Sequence, residues 1–468
     1  MADTGKIVDE IRDPWYHRWA GLPGEWKRRY GGLGPRQRFQ FGVAMRAVVV
    51  IALIFVGWPL ALLVAVLFAI PYALGYVPEP WNRFNRFVMP AVVLIVAVTY
   101  PLIYTQFLLG RSLNLVGAYP TLGTMVIMGV YAMMAIGLNI VVGYAGLLDL
   151  GYVAFYAMGS YTAAWFASVQ FAHRNFHFGA VGVGPGTPGI HISIWILLLL
   201  AGIFTAIIGV IIGLPTLRLR GDYLAIVTLG FGEILPQVAR NGDNLGGFNL
   251  TNGPNGITPI DSPGIGSLNF LSSSGNVGGI GYNSDRLYFW GVLVLVIITI
   301  FCSLRLRDSR LGRAWIAIRE DETAAAAMGI PLMRTKTWAY ATGAFFGGVA
   351  GAYFASFKQS TFPNDFSFNI SAFILSMVIL GGMGNVWGVV FGAAFLAFLN
   401  QQGLADIGHS FNNTFGTNLD VPKYQFGIYG IIIVATMLLR PEGLIPSARR
   451  KAEFHEGVAD TPLYDVQQ

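Results

Sequence analysis

The stretch Gly137-Leu-Asn-Ile-Val-Val-Gly-Tyr-Ala-Gly-Leu-Leu-Asp-Leu-Gly151 closes an apolar run that begins at Tyr119 and carries no charge before Asp149. From Tyr119 to Val142 the run is long enough to cross the ~30 Å hydrocarbon core of a bilayer as a helix rising about 1.5 Å per residue. The segment after it, 143–151, is too short to cross again. A membrane span that ends in a glycine-interrupted segment therefore decides how the rest of the chain is read.

Working outward, comparable runs recur at 47–70, 88–109, 152–172, 191–214, 222–239, 288–304, 337–357, 370–399 and 424–439. The expected fold class is all-α: a polytopic membrane helix bundle of about ten spans, with glycine-broken or re-entrant segments and a pseudo-repeat. Composition agrees, since 54% of residues are hydrophobic and only 12% charged, against about 25% charged in an average soluble protein. That balance excludes an ordinary soluble enzyme. The net charge of +6 points to no nucleic acid partner, because in a membrane protein the placement of basic residues says more than their total. A single cysteine, Cys302, permits no intrachain disulfide.

The expected organisation is a cytoplasmic basic and aromatic tail (1–46), a two-span N-terminal extension (47–110), a core (111–444) and a cytoplasmic C-terminal tail (445–468). The first tail mixes Asp3, Asp9, Glu10, Asp13 and Glu25 with its basic residues, which is too acidic for a signal peptide. Its Trp15, Trp19, Trp26 and Tyr30 alternate with Arg18 and Lys27 to Arg29 in the manner of a membrane-surface belt.

Orientation follows from the basic residues. Placing the tail, Arg111, the Arg218/Arg220 loop, the 305–336 loop and Arg440, Arg449, Arg450 and Lys451 in the cytoplasm puts most of the 30 Lys and Arg residues inside. The assignment does not close, because one full run, 119–142, lies between Arg111 and the 152–172 span. The same conflict recurs at 370–399, whose middle reads Leu380-Gly-Gly-Met-Gly-Asn-Val-Trp-Gly388. Two glycine-interrupted segments in corresponding places of two halves are the sign of a transporter built from repeats, with discontinuous helices at the pathway. Backbone freed from helical bonding at membrane depth must be interior, so Asn139, Gly143, Gly146, Asp149, Gly381 and Gly384 are candidate pathway residues. Asp149 is also placed to cap the following helix. Glycine occurs 59 times, against an average near 7%, and Gly343, Gly347 and Gly351 share one face of a span as a close-packing signal.

Glu233 is the clearest carboxylate within a run. It either lines the pathway and meets a substrate ammonium, or is a structural carboxylate held by Thr228 or Asn139. No phosphate loop, nucleophile elbow or His-Glu-x-x-His pair is present. The six histidines are dispersed in tails and exterior loops, with His173 and His177 one helical turn apart. No metal, cofactor or catalytic residue is expected. In the loop 305–336, the segment Gly312 to Pro331 has strong helix formers from Arg313 to Met328 and a Gly329/Pro331 stop. A surface helix there would present Arg313, Arg319, Glu320, Asp321 and Glu322 to a partner's groove.

On these motifs, together with Leu217-Arg-Leu-Arg-Gly-Asp-Tyr-Leu-Ala-Ile-Val-Thr-Leu-Gly-Phe-Gly-Glu233 and Thr251-Asn-Gly-Pro-Asn-Gly-Ile257, the chain resembles the permease subunits of ABC importers for branched-chain amino acids, LivM type. The N-terminal pair of spans looks like the long form of that subunit. The resemblance implies a non-catalytic permease of a bacterial inner membrane, multi-pass, with both termini cytoplasmic. It implies as partners a second permease subunit of LivH type, two cytoplasmic ATPase subunits, a periplasmic binding protein and membrane lipids. ATPase coupling would fall on the loop helix that starts at Gly312, through Glu322, Ala324, Ala325 and Gly329. Thr323, between Glu322 and Ala324, departs from the family's Glu-Ala-Ala pattern. The exterior loop 240–287, rich in Gly, Asn and Ser, is the expected docking surface for the binding protein, or else a flexible connector. Urea and short-chain amide permeases share much of this motif set, and an ion-coupled secondary transporter is the alternative of a different class.

Overall fold

The computed structural model describes residues 97–102, 104, 112–113 and 117–445, except 185, 220, 245, 267, 278–279, 417–419 and 441–442. The chain divides into two units, Met1–Ile103 and Tyr104–Gln468. In the first, residues 97–102 are helical; the N-terminal tail and the first expected span lie outside the described residues, as do most of the second and residues 446–468. The helices of the second unit are α1 Leu122–Leu138, α2 Val153–Phe166, α3 Ile194–Thr216, α4 Asp222–Arg240, α5 Ser284–Asp308, α6 Arg310–Glu320, α7 Glu322–Ala327, α8 Leu332–Lys358, α9 Phe368–Gly381, α10 Val386–Phe398, α11 Leu404–Phe415 and α12 Gln425–Leu439.

Helix α1 starts where the sequence breaks at Pro120, with the Thr121 hydroxyl accepting the Thr124 N–H at 3.2 Å. A π-helical turn, Asn139–Tyr144, continues it, and the whole is a 23-residue apolar span. Among the described residues four other helical segments are long and apolar enough to cross a membrane: Ile194–Thr216, Ser284–Asp308, Val386–Thr414 and Val421–Leu439. The chain is a polytopic helical membrane protein. Helices α2 and α9, 14 residues each, reach only about 21 Å and are short of a full crossing.

Helix α8 is the hub, packed against α1, α2 and α3. Its contact face is the expected glycine triple: Gly343 lies on α1 at Val141 and Gly137, Gly347 on Phe155 and Tyr152, and Gly351 on the Tyr156 backbone. Small residues there bring backbones close enough for side chains of α2 to bond α8 carbonyls. Tyr152 donates to the Gly343 oxygen and Ser160 to the Gly351 oxygen, each at 2.8 Å. A further close crossing is Gly159 of α2 on Gly348 of α8, where a Cβ would lie 2.6 Å from the Gly348 Cα.

The expected 152–172 span stops at Phe166, because Ala167–Ser168 leaves the helix to pair with Gly189–Ile192. These two strands and Asn175–Phe178 form a three-stranded cap. The 240–287 loop is not a loose connector but folds onto this cap. The Asn249 side chain accepts the Asn252 N–H at 2.8 Å, Asp261 N–H bonds the Ala167 carbonyl at 2.8 Å, and Ile257 pairs with Thr361. The Asp261 carboxylate meets buried His191 at 2.8 Å; desolvation pushes this carboxyl above its ordinary value, against the opposing pull of His191.

Both orientation conflicts have a geometric answer. Thr121 N–H donates to Gln402 at 3.1 Å, whereas Tyr144, at the other end of the span, lies against Ser303 near the α5–α6 elbow. The hairpin Ser112–Leu113/Gly117–Ala118 thus precedes α1 at the end of the bundle opposite α6. Arg111, which the sequence reading groups with the 305–336 loop, lies outside the described residues. The 370–399 run is a hairpin. Gly381 of α9 packs on Gly388 of α10, and Gly392 on the Met377 carbonyl, so the two helices run antiparallel about the turn Gly382 to Asn385. Its second arm continues through a π-helical turn, Leu399–Gly403, into α11.

The Gly159–Gly348 crossing gives a direct test. Gly159→Leu is expected to destabilise the detergent-solubilised protein by at least the ~1–3 kcal/mol of ordinary overpacking, because its Cβ meets backbone. Gly230→Leu, where a Cβ meets open space, is expected to leave the melting temperature nearly unchanged; equal shifts for the two variants in a thermal melt would refute this packing.

Candidate functional site

At the end of the bundle where α5 gives way to α6, the loop expected as one helix is two. Ser309 caps α6 by accepting the Gly312 N–H at 3.2 Å. Asp321 ends α6 in an extended conformation and caps α7, accepting the N–H groups of Thr323 and Ala324 at 2.8 and 3.0 Å. These bonds, led by the Thr323 hydroxyl, hold the exposed Asp321 carboxyl below its ordinary value. The expected helix Arg313 to Met328 is interrupted because an aspartate serves backbone N–H groups better as a cap than as a helix interior residue. Gly329, at φ +85°, closes α7: Ile330 N–H bonds the Ala325 carbonyl at 3.1 Å and Gly329 N–H bonds that of Ala326 at 3.0 Å, the paired bonds of a glycine helix end.

This helix pair is tied to the base of α8. Fully buried Trp315 donates its indole N–H to the Thr335 carbonyl at 2.8 Å, and Lys336, whose side chain is 6% exposed, meets Glu322 at 2.7 Å. Ala325 is buried within the chain, whereas Arg313, Glu320, Asp321, Ala324 and Gly329 are exposed and Met328, 84% exposed, forms the tip.

Both glycine breaks reach the same place. Arg319, in the last turn of α6, donates to the Gly143 carbonyl at 2.6 Å. That oxygen is among those left unpaired where a helix ends. Asn139, fully buried, accepts the Gly384 N–H at 2.8 Å, joining the first break to the second. Gly382 and Gly384 have φ of +108° and +87°, a turn that other residues adopt at a cost. Gly146 lies under Arg319, where a Cβ would stand 2.8 Å from the arginine Cγ, and a Cβ on Gly384 would stand 3.4 Å from Nη1. Beyond α12 the chain seals the turn, with Leu444 and Ile445 N–H groups bonding the Leu380 and Gly381 carbonyls. The residues expected on the pathway, Asn139, Gly143, Gly146, Gly381 and Gly384, are thus gathered around a residue expected on the coupling helix.

Two candidates lie elsewhere. Asp149 is buried, with Oδ1 accepting the Gly151 N–H at 2.9 Å and the Thr228 and Tyr340 hydroxyls nearby. It orders the turn before α2 and does not cap the helix, whose Val153 N–H is taken by Ser371 of α9 at 2.9 Å. Glu233 is exposed on the outer face of α4, which corrects the reading of a carboxylate held by Thr228 or Asn139. Thr228 instead serves the Leu150 N–H, and Asn139 serves Gly384. With Ile234, Gln237, Val238 and Asn241, Glu233 lines an open hollow of about 460 Å³, on a face that also exposes Tyr223 and Ile226. Ser371, Trp315 and Lys336 carried no signal in the sequence; their partners lie on other elements.

The fold and this junction describe a membrane permease whose loop helices grip its broken spans. Residues 121–437 match the family model described as branched-chain amino acid transport system / permease component, and the chain belongs to that family. It is 35% identical over 398 residues, 80% of this chain and 81% of the relative, to the high-affinity branched-chain amino acid transport system permease protein LivM of Salmonella typhimurium. It is 34% identical over the same shares to the protein of that name in Escherichia coli. A probable branched-chain amino acid transport permease protein LivM of Methanocaldococcus jannaschii is 25% identical over 68% of this chain and 91% of its own. No solved structure matches.

The Lys336–Glu322 pair is asymmetric in burial, and its variants should be too. Glu322→Ala leaves a nearly buried ammonium unpaired and is expected to cost about 1–3 kcal/mol, while Lys336→Met leaves a carboxylate that water can reach and is expected to cost less. The reverse order, measured by thermal melting, would contradict the geometry.

Proposed function

We propose that this chain is a translocation subunit of an ABC importer for branched-chain amino acids in a bacterial inner membrane. The observation that carries the reading is the junction at Arg319, where an exposed helix pair suited to an ATPase groove is bonded to the first broken span, which Asn139 joins to the second. The α6–α7 end also carries Arg305, Arg307, Arg310, Arg313 and Arg334, which favours the cytoplasm for it. ATP hydrolysis then belongs to two separate subunits that receive Met328, Ala324 and their exposed neighbours. The folded 240–287 segment and the strand cap face the periplasm and meet a binding protein. Both termini are cytoplasmic.

The second permease subunit covers the outer face of α4. A carboxylate about 16 Å along that helix from Asp222 is costly against lipid, but against a partner it borders the pathway and can meet the ammonium of an amino acid. Valine, leucine and isoleucine share that ammonium, and the apolar neighbours Ile234 and Val238 suit their side chains.

The direct test is uptake of radiolabelled leucine into proteoliposomes holding the full assembly. Accumulation should require ATP and the ATPases, and unlabelled isoleucine should compete where urea does not; accumulation without the ATPases would overturn the importer reading. Glu233→Gln should assemble normally yet lower uptake roughly tenfold or more, the scale of a lost hydrogen bond to a charged group. Normal transport by that variant would remove Glu233 from the pathway.

A further inference from the structure

We infer that Arg319 is the latch through which the coupling helices hold both broken spans, and that transport requires the guanidinium to leave its seat. The inference rests on the proposed importer reading and adds the residue that transmits the motion. Three observations support it. The guanidinium bonds the Gly143 carbonyl at 2.6 Å, a charge-assisted bond at the negative end of the α1 span. Among the described residues no carboxylate pairs with Arg319, so its charge is committed to this carbonyl and to the turn beside it. Gly146 leaves the room the arginine occupies, since a Cβ there would stand 2.8 Å from its Cγ, and Gly384 lies within van der Waals reach of its Nη1.

The mechanical arrangement fits a release. Trp315, buried and bonded to Thr335, fixes the middle of α6 on α8, and Arg319 lies one helical turn beyond it toward the exposed tip. A load applied at Met328 and Ala324 therefore turns α6 about Trp315 and draws Arg319 from the breaks. Once it leaves, the Gly143 carbonyl loses its donor. The Gly382 to Asn385 turn is then held to the rest of the chain by the Asn139 bond to Gly384 and the Asn385 side-chain bond to the Ile445 carbonyl, among others. Asn139 keeps the two breaks joined, so both are released as one body. Arg319 is a positioning residue here; it need not touch substrate.

The test uses the complete assembly in proteoliposomes and reads leucine uptake and ATP hydrolysis side by side. Arg319→Ala should keep hydrolysis while uptake per ATP falls roughly tenfold or more, and Arg319→Lys, which restores a cationic donor, should recover part of the ratio. Gly146→Ala, whose Cβ would stand 2.8 Å from the Arg319 Cγ, should lower the ratio in the same way by displacing that side chain, and it reports independently should Arg319→Ala fail to assemble. Wild-type uptake per ATP in Arg319→Ala or in Gly146→Ala would overturn the latch. So would uptake and hydrolysis falling in strict proportion, which marks a structural role only. Absence of ATP-dependent leucine uptake in the wild-type assembly would instead refute the importer reading itself.

Discussion

A carbonyl or amide released from a helix inside a membrane finds no water, so it must find a partner within the protein. That constraint organises this structure. The first break frees the Gly143 carbonyl, and Arg319 takes it; the second exposes the Gly384 N–H, and Asn139 takes it. Because one donor comes from the α6–α7 pair and one acceptor from the other break, satisfying two orphaned backbone groups also welds three segments far apart in sequence. A permease needs spans that can change shape and a surface element that can report on an ATPase. In the proposed mechanism a single set of hydrogen bonds serves both.

The rest of the bundle holds that weld in place. Helix α8 carries glycines where α1 and α2 cross it, and with little side-chain volume at these crossings the backbones approach and bond through Tyr152 and Ser160. The same helix begins with Thr335 and Lys336, which anchor α6 and α7. The proposed coupling helices therefore stand on α8, whereas Asp321, Thr323, Ala324 and the residues Ala326 to Gly329 are exposed. A rigid base and an exposed tip are what a lever requires.

Much of this was legible in the sequence because it depends on local chemistry. The spans follow from apolar runs, the two breaks from Gly143 to Gly151 and Gly381 to Gly388, and the small face of α8 from the four-residue spacing of Gly343, Gly347 and Gly351. The failure of the charge-based topology to close marked the same two breaks, and that failure was informative. What the sequence concealed depends on contacts between distant elements. Nothing near Arg319 announces that Gly143 is its partner, and nothing near Ser371 announces that it completes α2. Asp321 was a readable cap with Thr323 and Ala324 after it, but the surrounding helix formers masked the break. Of the two readings of Glu233, the structural carboxylate held by Thr228 or Asn139 fails, because hydropathy locates a residue along a helix and not around it. Of the two readings of the 240–287 segment, the flexible connector fails, because its asparagine and threonine side chains bond the backbone and fold it.

The central claim is that Arg319 couples the α6–α7 pair to the two glycine breaks, so that displacing the pair alters both breaks together. It is tested most directly by amide hydrogen exchange of the complete assembly, comparing the nucleotide-free state with a state trapped after ATP binding. Exchange should change together in three peptides: those covering 139–151, 382–388 and 316–330. A change confined to 316–330, with both breaks unaltered, would contradict it.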